Sequence, residues 1–282
     1  MPRPISSILI ITKAGQARAC DLGLEISGWL EERGVSCTSV KDERLKRDAL
    51  WSGAEYDMVL VLGGDGTILR VAGEIAGRRL PILGLNLGRV GFLTETSPED
   101  WRPFLEDLLE KGVNAVERLV LEFKVVRKGE EVYAGRVLND LVINRGALAR
   151  LIRLGLGLNS EPPSSVRADG LVISTPTGST AYSVSSGGPV VHPGLHVFGV
   201  TPICPLQHSF RPMVFPGDAT LTVHVEESSE VYLTLDGQNC FRVLEGDRVL
   251  VTGAKRGVFF VEPRKPSYFQ KLKAKGFMGE RP

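Results

Sequence analysis

Five consecutive apolar residues, Met58-Val-Leu-Val-Leu62, run without a break into Gly63-Gly-Asp-Gly-Thr67. A run so short and so uniformly apolar is a strand buried on both faces. Where such a strand stops at a glycine cluster and a helix follows, the chain is at the carboxyl edge of an open α/β sheet, where these sheets bind ligands. The helix is expected from about Ile68 to Ala76.

The neighbouring segments carry the same alternation. Ile8 to Ile11 is another buried strand. From Ala19, the apolar positions Leu22, Ile26, Trp29 and Leu30 recur at helical spacing, with Gly34 placed to close the helix. Pro81-Ile-Leu-Gly-Leu85 reads as the next strand. Ser97 offers a cap, Pro98 a first-turn residue and Asp100 a weak capping box. Trp101, Phe104, Leu105, Leu108 and Leu109 then line one face of a helix that Gly112 ends. This alternation predicts an α/β domain with a mostly parallel sheet.

Near Arg118 the period changes. Leu119, Leu121, Phe123 and Val125 alternate with charged or smaller residues, and Lys128-Gly-Glu-Glu131 reads as a hairpin turn before Val132. Strand-like stretches follow at Leu171 to Ser174, Ala219 to Val225, Val231 to Leu235 and Arg248 to Thr252. The expected organisation is an α/β domain over 1–118 and a mainly antiparallel, all-β domain over 119–262. A tail over 263–282 would be helical from Ser267 to Phe277 and return to the first domain.

Composition sets outer limits. The 282 residues are 43% hydrophobic and 24% charged, enough for a sizeable core. A formal net charge of +1 gives no electrostatic reason to expect nucleic acid or an acidic membrane as partner. Cys20, Cys37, Cys204 and Cys240 form no CxxC pair and read as buried apolar thiols of a reducing cytoplasm. No signal peptide is expected from the N-terminal residues, and no segment approaches the ~18 apolar residues of a membrane span. The expected location is cytoplasmic. His192, His196, His208 and His224 show no metal-ligand pairing, so no protein-bound metal is expected; His192 reads as a turn residue. Glu226 to Glu230 reads as a solvated hairpin tip, and Lys271, Lys273 and Lys275 as an exposed helix face.

Two stretches carry chemistry. In Gly63-Gly-Asp-Gly-Thr67, glycines leave backbone N–H groups unobstructed, so that Gly63, Gly64, Gly66 and Thr67 can lie against a polyphosphate at a helix N-terminus. Arg70, one turn on, can reach a phosphate. Asp65 would repel phosphate unless it accepts a proton or holds a divalent cation. The plainer alternative is a tight turn, with Gly for positive φ and Asp for a local side-chain bond. Neither a Walker A sequence nor a GxGxxG fingerprint is present. The second stretch runs from Arg167 to Ser183, where Ser174, Thr175, Thr177, Ser179, Thr180, Tyr182 and Ser183 offer seven hydroxyls. It is either a polar surface loop or a pocket for ribose and adenine.

These motifs resemble the signatures of the bacterial-type NAD kinase family. The resemblance rests on Gly63 to Thr67, Asn139-Asp140 and the stretch from Asp169 to Tyr182. It is supported by Leu87 to Leu93, Gly187-Gly-Pro189 with His192-Pro193, and Ser209 to Pro212. The glycine turn alone is shared with lipid kinases; the long hydroxyl-rich motif narrows the choice.

The resemblance implies ATP-dependent phosphorylation of the adenosine ribose 2′-hydroxyl of NAD, with Mg2+ or another divalent cation on the ATP phosphates. It implies Asp65 as general base, with Gly66 and Phe92 lining its pocket. Asn139 and Asp140 would bind the ribose and nicotinamide portions, and Asp169 the nicotinamide end with Arg167 beside it. Thr180, Ala181, Tyr182, Ser183 and Ser185 match the adenosine-contacting segment; Gln238 and Arg150 fall near further NAD contacts. A homodimer or homotetramer, with the NAD site completed at a subunit boundary, is also implied. Asp140 stands where many family members have Glu, and Ala168 where Gly is frequent; neither change removes a functional group. Two other readings are a lipid kinase, which the 169–182 motif argues against, and a nucleotide sensor without catalysis, which the presence of Asp65, Asn139 and Asp169 argues against.

Overall fold

The computed structural model describes residues 5–45, 55–88, 91–146, 150–206, 210–227, 230–263 and 268–278. Arg89, Val90, His208, Ser209, Ser228, Ser229 and Ser267, which belong to stretches singled out above, lie outside them. The chain divides into two compact units, one drawn from Met1–Ile75, Arg79–Val116 and Phe259–Pro282, the other from Ala76–Arg78 and Glu117–Val258.

The first unit begins β1 (Ser7–Thr12), α1 (Ala17–Glu31), β2 (Ser36–Lys41), β3 (Met58–Leu62), α2 (Asp65–Ile75), β4 (Ile82–Leu85), α3 (Trp101–Lys111) and β5 (Ala115–Arg118). The second contributes β6 (Leu121–Arg127), β7 (Glu130–Val137), β8 (Asp140–Arg145), β9 (Ile152–Leu158), β10 (Ser164–Ala168) and β11 (Gly170–Ser174). A 3-10 turn (Thr177–Thr180) and a one-turn helix α4 (Tyr182–Ser185) lead to β12 (Val197–Ile203), β13 (Met213–Pro216), β14 (Leu221–Glu227), β15 (Val231–Leu235), β16 (Asn239–Val243) and β17 (Arg248–Gly253). β18 (Val258–Val261) and α5 (Tyr268–Ala274) end the described chain.

The first sheet has the order β2-β1-β3-β4-β18-β5, and β1 pairs β2 and β3, β3 pairs β4 and β18 pairs β4 all in parallel. Every residue of β3 is fully buried, as a two-faced apolar strand requires. Alternation decides which helix covers which face. Ile8, Ile10, Leu60, Leu62, Leu83 and Leu85 share one cluster with Leu22, Ile26 and Leu30 of α1 and Trp101, Leu105 and Leu108 of α3. Gly84 points the other way, and a Cβ there would meet the Ile68 side chain of α2 at 2.5 Å. Helices therefore cover both faces of the sheet. Trp29 meets Trp101 edge-on, with centroids 5.4 Å apart, and ties α1 to α3.

Two helix starts differ from the sequence expectation. α2 begins at Asp65, ahead of Ile68, because the Gly64 carbonyl already accepts the Thr67 and Ile68 N–H groups at 3.0 and 3.2 Å. α3 begins at Trp101: the Ser97 hydroxyl is spent on the Asp100 carboxylate at 2.9 Å, and residues 98–100 form a preceding turn. Gly112, at φ 78°, ends α3 as expected.

The second unit is antiparallel. Its two sheets have the orders β10-β9-β14-β17-β6-β7 and β13-β12-β11-β8-β15-β16, and their inward residues share one core that includes Phe123, Leu154, Val223 and Val249 from one sheet and Ile143, Ile173, Phe198 and Leu233 from the other. The Lys128-Gly129 turn has φ 51° and 90°, the paired left-handed residues of a type I′ hairpin. Asp236 and Gly237, at 48° and 65°, begin the longer loop, Asp236 to Gln238, that turns β15 into β16.

Several smaller expectations change. Cys20 and Cys37 are partly buried, but Cys204 and Cys240 are exposed. Burial pushes the Cys37 thiol up, away from thiolate. Glu226 is not a free solvated tip, since Arg153 and the Ser165 hydroxyl both hold it. Lys271 is not simply exposed: it pairs with the buried carboxylate of Glu95. His192 is the turn residue expected, its Nδ1 accepting the Gly194 N–H at 3.1 Å. Among the described residues no helix is long and apolar enough to cross a membrane.

Candidate active site

In the first unit, β3 delivers the chain to Gly63, whose N–H is held by the Leu85 carbonyl at 3.0 Å. Neither Gly63, Gly64 nor Gly66 has positive φ, so the left-handed turn that their composition suggests is not what these glycines are for. Their use is space. A Cβ on Gly63 would lie 2.8 Å from the Thr67 hydroxyl, whereas positions 64 and 66 face nothing within 4 Å. The outer side of the turn is therefore open.

Asp65 is the first residue of α2, and both its oxygens are held. Oδ2 accepts the Phe92 N–H at 2.9 Å and Oδ1 the Leu93 N–H at 3.2 Å. Gly91 makes this approach possible: a Cβ there would sit 1.9 Å from Asp65 Oδ1. The Gly91 N–H is in turn fixed on the Thr94 hydroxyl at 3.1 Å. Phe92 is half-buried, edge-on to Phe277 at 5.6 Å, with Lys275 Nζ 5.4 Å from its ring centroid. A carboxylate has about four acceptor directions. Two are taken by amides that orient the group.

Two residues assigned to phosphate have internal side-chain contacts. Thr67 is buried, with its hydroxyl folded against Gly63 and away from the open side. Arg70 Nη1 donates to the buried carboxylate of Asp42 at 3.1 Å, and Asp42 Oδ1 also accepts the Ala14 N–H at 2.9 Å.

In the second unit, Asn139 and Asp140 lie at the start of β8, against the Asp236 turn. Asp236 accepts the N–H groups of Leu138, Asn139 and Asp140 at 3.0, 2.8 and 3.1 Å. Asp140 is buried, and burial, with Asp236 nearby, pushes its carboxyl up to about 7 against the opposing Tyr182 N–H. Burial raises Asp236 as well, against the pull of its three amide bonds.

The hydroxyl-rich stretch resolves into two kinds of residue. Ser174, Thr175, Ser179 and Ser183 are buried. Thr175 Oγ1 donates to the Leu138 carbonyl and accepts the Gly178 N–H; Ser179 Oγ donates to the Pro176 carbonyl at 2.7 Å. Ser183 Oγ lies 3.3 Å from Thr201 Oγ1 in the interior. Tyr182 and Ser185 are exposed, Thr180 and Ala181 partly so. Asp169 pairs with Arg145 Nε at 2.6 Å. Arg167 is exposed on β10, as are Arg150 and Gln238 in loops. The structure thus gathers Asn139 and Asp140 on Asp236, with the Tyr182 N–H on Asp140. Among the described residues no group of three or more His, Cys, Asp or Glu side chains converges to hold a metal ion.

Relatives match along the whole chain. Residues 37–113 match the ATP-NAD kinase N-terminal domain, and residues 138–262 the ATP-NAD kinase C-terminal domain. The NAD kinase of Nitratidesulfovibrio vulgaris (strain Miyazaki F) is 49% identical over 279 residues, covering 99% of each chain. The fold resembles the crystal structure of yeast NADH kinase complexed with NADH, at TM-score 0.88 and 23% identity, covering 99% of this chain and 90% of that one. It also resembles an NAD kinase from Archaeoglobus fulgidus in complex with ATP, at TM-score 0.75 and 24% identity, covering 95% and 99%. Fold and sequence thus define a phosphotransferase with an α/β unit and a β unit. The chain belongs to the NAD kinase family.

Proposed function

We propose that the chain moves the terminal phosphate of ATP onto the adenosine ribose 2′-hydroxyl of NAD, with Asp65 as the base. The observation that carries this reading is the Asp65 carboxylate, fixed by two loop amides beside glycines that leave the turn open. As the bond between O2′ and the γ-phosphorus forms and the bond from that phosphorus to the bridging oxygen breaks, ADP leaves and the 2′ proton passes to Asp65. Phosphoryl transfer demands positioning more than covalent help, and a held carboxylate meets that demand.

The open space beside Gly64 and Gly66 suits the triphosphate. A divalent cation carried on the ATP phosphates suits this donor set, since such ions are commonly bound through one or two carboxylates plus phosphate oxygens; it offsets charge on the transferring group. On the acceptor side, Asn139, Asp140 and the exposed Tyr182 hold NAD. Asp140, titrating near 7, can donate a hydrogen bond to a ribose oxygen or accept one from a hydroxyl.

The test is a coupled assay with purified protein, ATP, magnesium and NAD, read by a dehydrogenase that accepts only NADP. NADP formation supports both donor and acceptor position. Consumption of ATP without a product that the dehydrogenase reads overturns the 2′ assignment.

A further inference from the structure

The dipeptide Asn139-Asp140 is immobilised in an unusual way. Leu138 and Asn139 fall between β7 and β8, and two side chains from separate turns take most of the backbone groups of residues 138–140. The N–H groups of Leu138, Asn139 and Asp140 all point at Asp236, and the Asp236 N–H returns to the Asp140 carbonyl at 2.9 Å. The Leu138 carbonyl accepts the Thr175 hydroxyl, and the Asn139 carbonyl accepts the Thr175 N–H at 2.9 Å. All six backbone polar groups of the three residues are thereby accounted for. A Cβ on Gly178 would come within 2.0 Å of the Asn139 carbonyl, so the turn closes on the dipeptide without slack. Among the described residues, the Asn139 side-chain amide has no hydrogen-bond partner, although its backbone is held on both sides.

Asp236 itself has φ 48°, a conformation that Asp and Asn tolerate better than other non-glycine residues. Its carboxylate, in a buried setting, is committed to holding neighbouring backbone.

We propose that Asp236 is a positioning residue for NAD: it presents the Asn139 amide and the Asp140 carboxyl in the geometry that binds the dinucleotide, without touching it. This rests on the reading of Asn139 and Asp140 as NAD-binding residues. Asp236 fixes where they stand, so its loss weakens NAD binding and leaves ATP binding and the base at Asp65 in place.

The experiment compares Asp236→Asn and Asp236→Ala with the unmodified enzyme, measuring KM for NAD, KM for ATP, kcat and thermal midpoint. Asn keeps the turn conformation and an oxygen for two of the three amides; Ala keeps neither. KM for NAD should rise about 10-fold in Asp236→Asn and about 100-fold in Asp236→Ala, with KM for ATP within about twofold of the unmodified value. Equal rises in both KM values, or a lowered midpoint with KM for NAD unchanged, would overturn the proposal in favour of a purely structural role. If Asp236→Ala does not fold, Asp236→Asn decides alone. Asn139→Ala separates this proposal from the reading beneath it. Should Asn139→Ala bind NAD normally, the dipeptide is not an NAD site. Should it bind weakly while both Asp236 variants bind normally, only the positioning role fails.

Discussion

The two units use one chemical device to opposite ends. In the first, the carboxylate of Asp65 takes two amides from the Phe92-Leu93 loop and stands beside two glycines with open space. In the second, Asp236 takes three amides and lies in a buried setting. Two amides orient a carboxylate and leave it acceptor capacity. Three, with burial, turn it into scaffold. The number of backbone donors that converge on an acidic side chain, and what surrounds the remaining oxygen directions, thus separates a group offered to a substrate from one that shapes a site.

Removing the charge at the offered position should have the largest effect. Asp65→Asn keeps the shape, so turnover should fall ~100-fold or more with NAD binding nearly unchanged, measured by steady-state kinetics beside calorimetric titration. Intact turnover would mean that Asp65 is oriented for some other task.

Disturbing the orientation alone comes next. Gly91→Ala places a methyl 1.9 Å from Asp65 Oδ1, and the carboxylate must swing away. We expect roughly a tenfold loss in kcat with KM for NAD little changed. An unchanged kcat would show that the Phe92 and Leu93 amides are dispensable.

In the scaffold, the expected loss is stability. Thr175→Val is nearly isosteric but leaves the Leu138 carbonyl and Gly178 N–H unsatisfied in a buried place. Unfolding free energy should drop by about 2 kcal/mol, seen as a lower urea midpoint at constant m. A midpoint equal to that of the unmodified protein would show that this turn contributes little to holding the dipeptide.

The smallest effect is on pH dependence. Burial lifts Asp140 from 3.8 to about 7, so the unfolded chain loses this proton first. Its contribution to stability is full below pH 3.8, declines as pH rises to about 7 and is flat above that. Asp236, also raised, slopes the same way. Asp140→Asn should flatten the decline without abolishing it. An unaltered slope in urea melts across that range would place the proton elsewhere.

The sequence carried the elements more fully than the contacts. β3 was legible because both of its faces are buried, which leaves an unbroken apolar run. The α1 and α3 faces were legible because one side meets the sheet. What Asp65 binds was not legible, since the amides of Phe92 and Leu93 are backbone donors and carry no residue signature; only Gly91 marks the approach. The hydroxyls of 174–183 were visible as composition, but composition does not say which of them turn inward, and Ser174, Thr175, Ser179 and Ser183 do. Arg70 was placed one turn into its helix correctly, yet its partner Asp42 comes from a segment 28 residues earlier.

The order of strands in the first sheet has a consequence for synthesis at the ribosome. β18 lies between β4 and β5 but is made last, after β6 through β17 have emerged. Until Val258–Val261 leaves the exit tunnel, the inner edges of β4 and β5 have no strand between them, exposing unpaired backbone to any passing chain. A nascent polypeptide arrested before Val258 should therefore hold an unfinished sheet. Completion of the α/β unit is a late event of translation, even though most of that unit is encoded first.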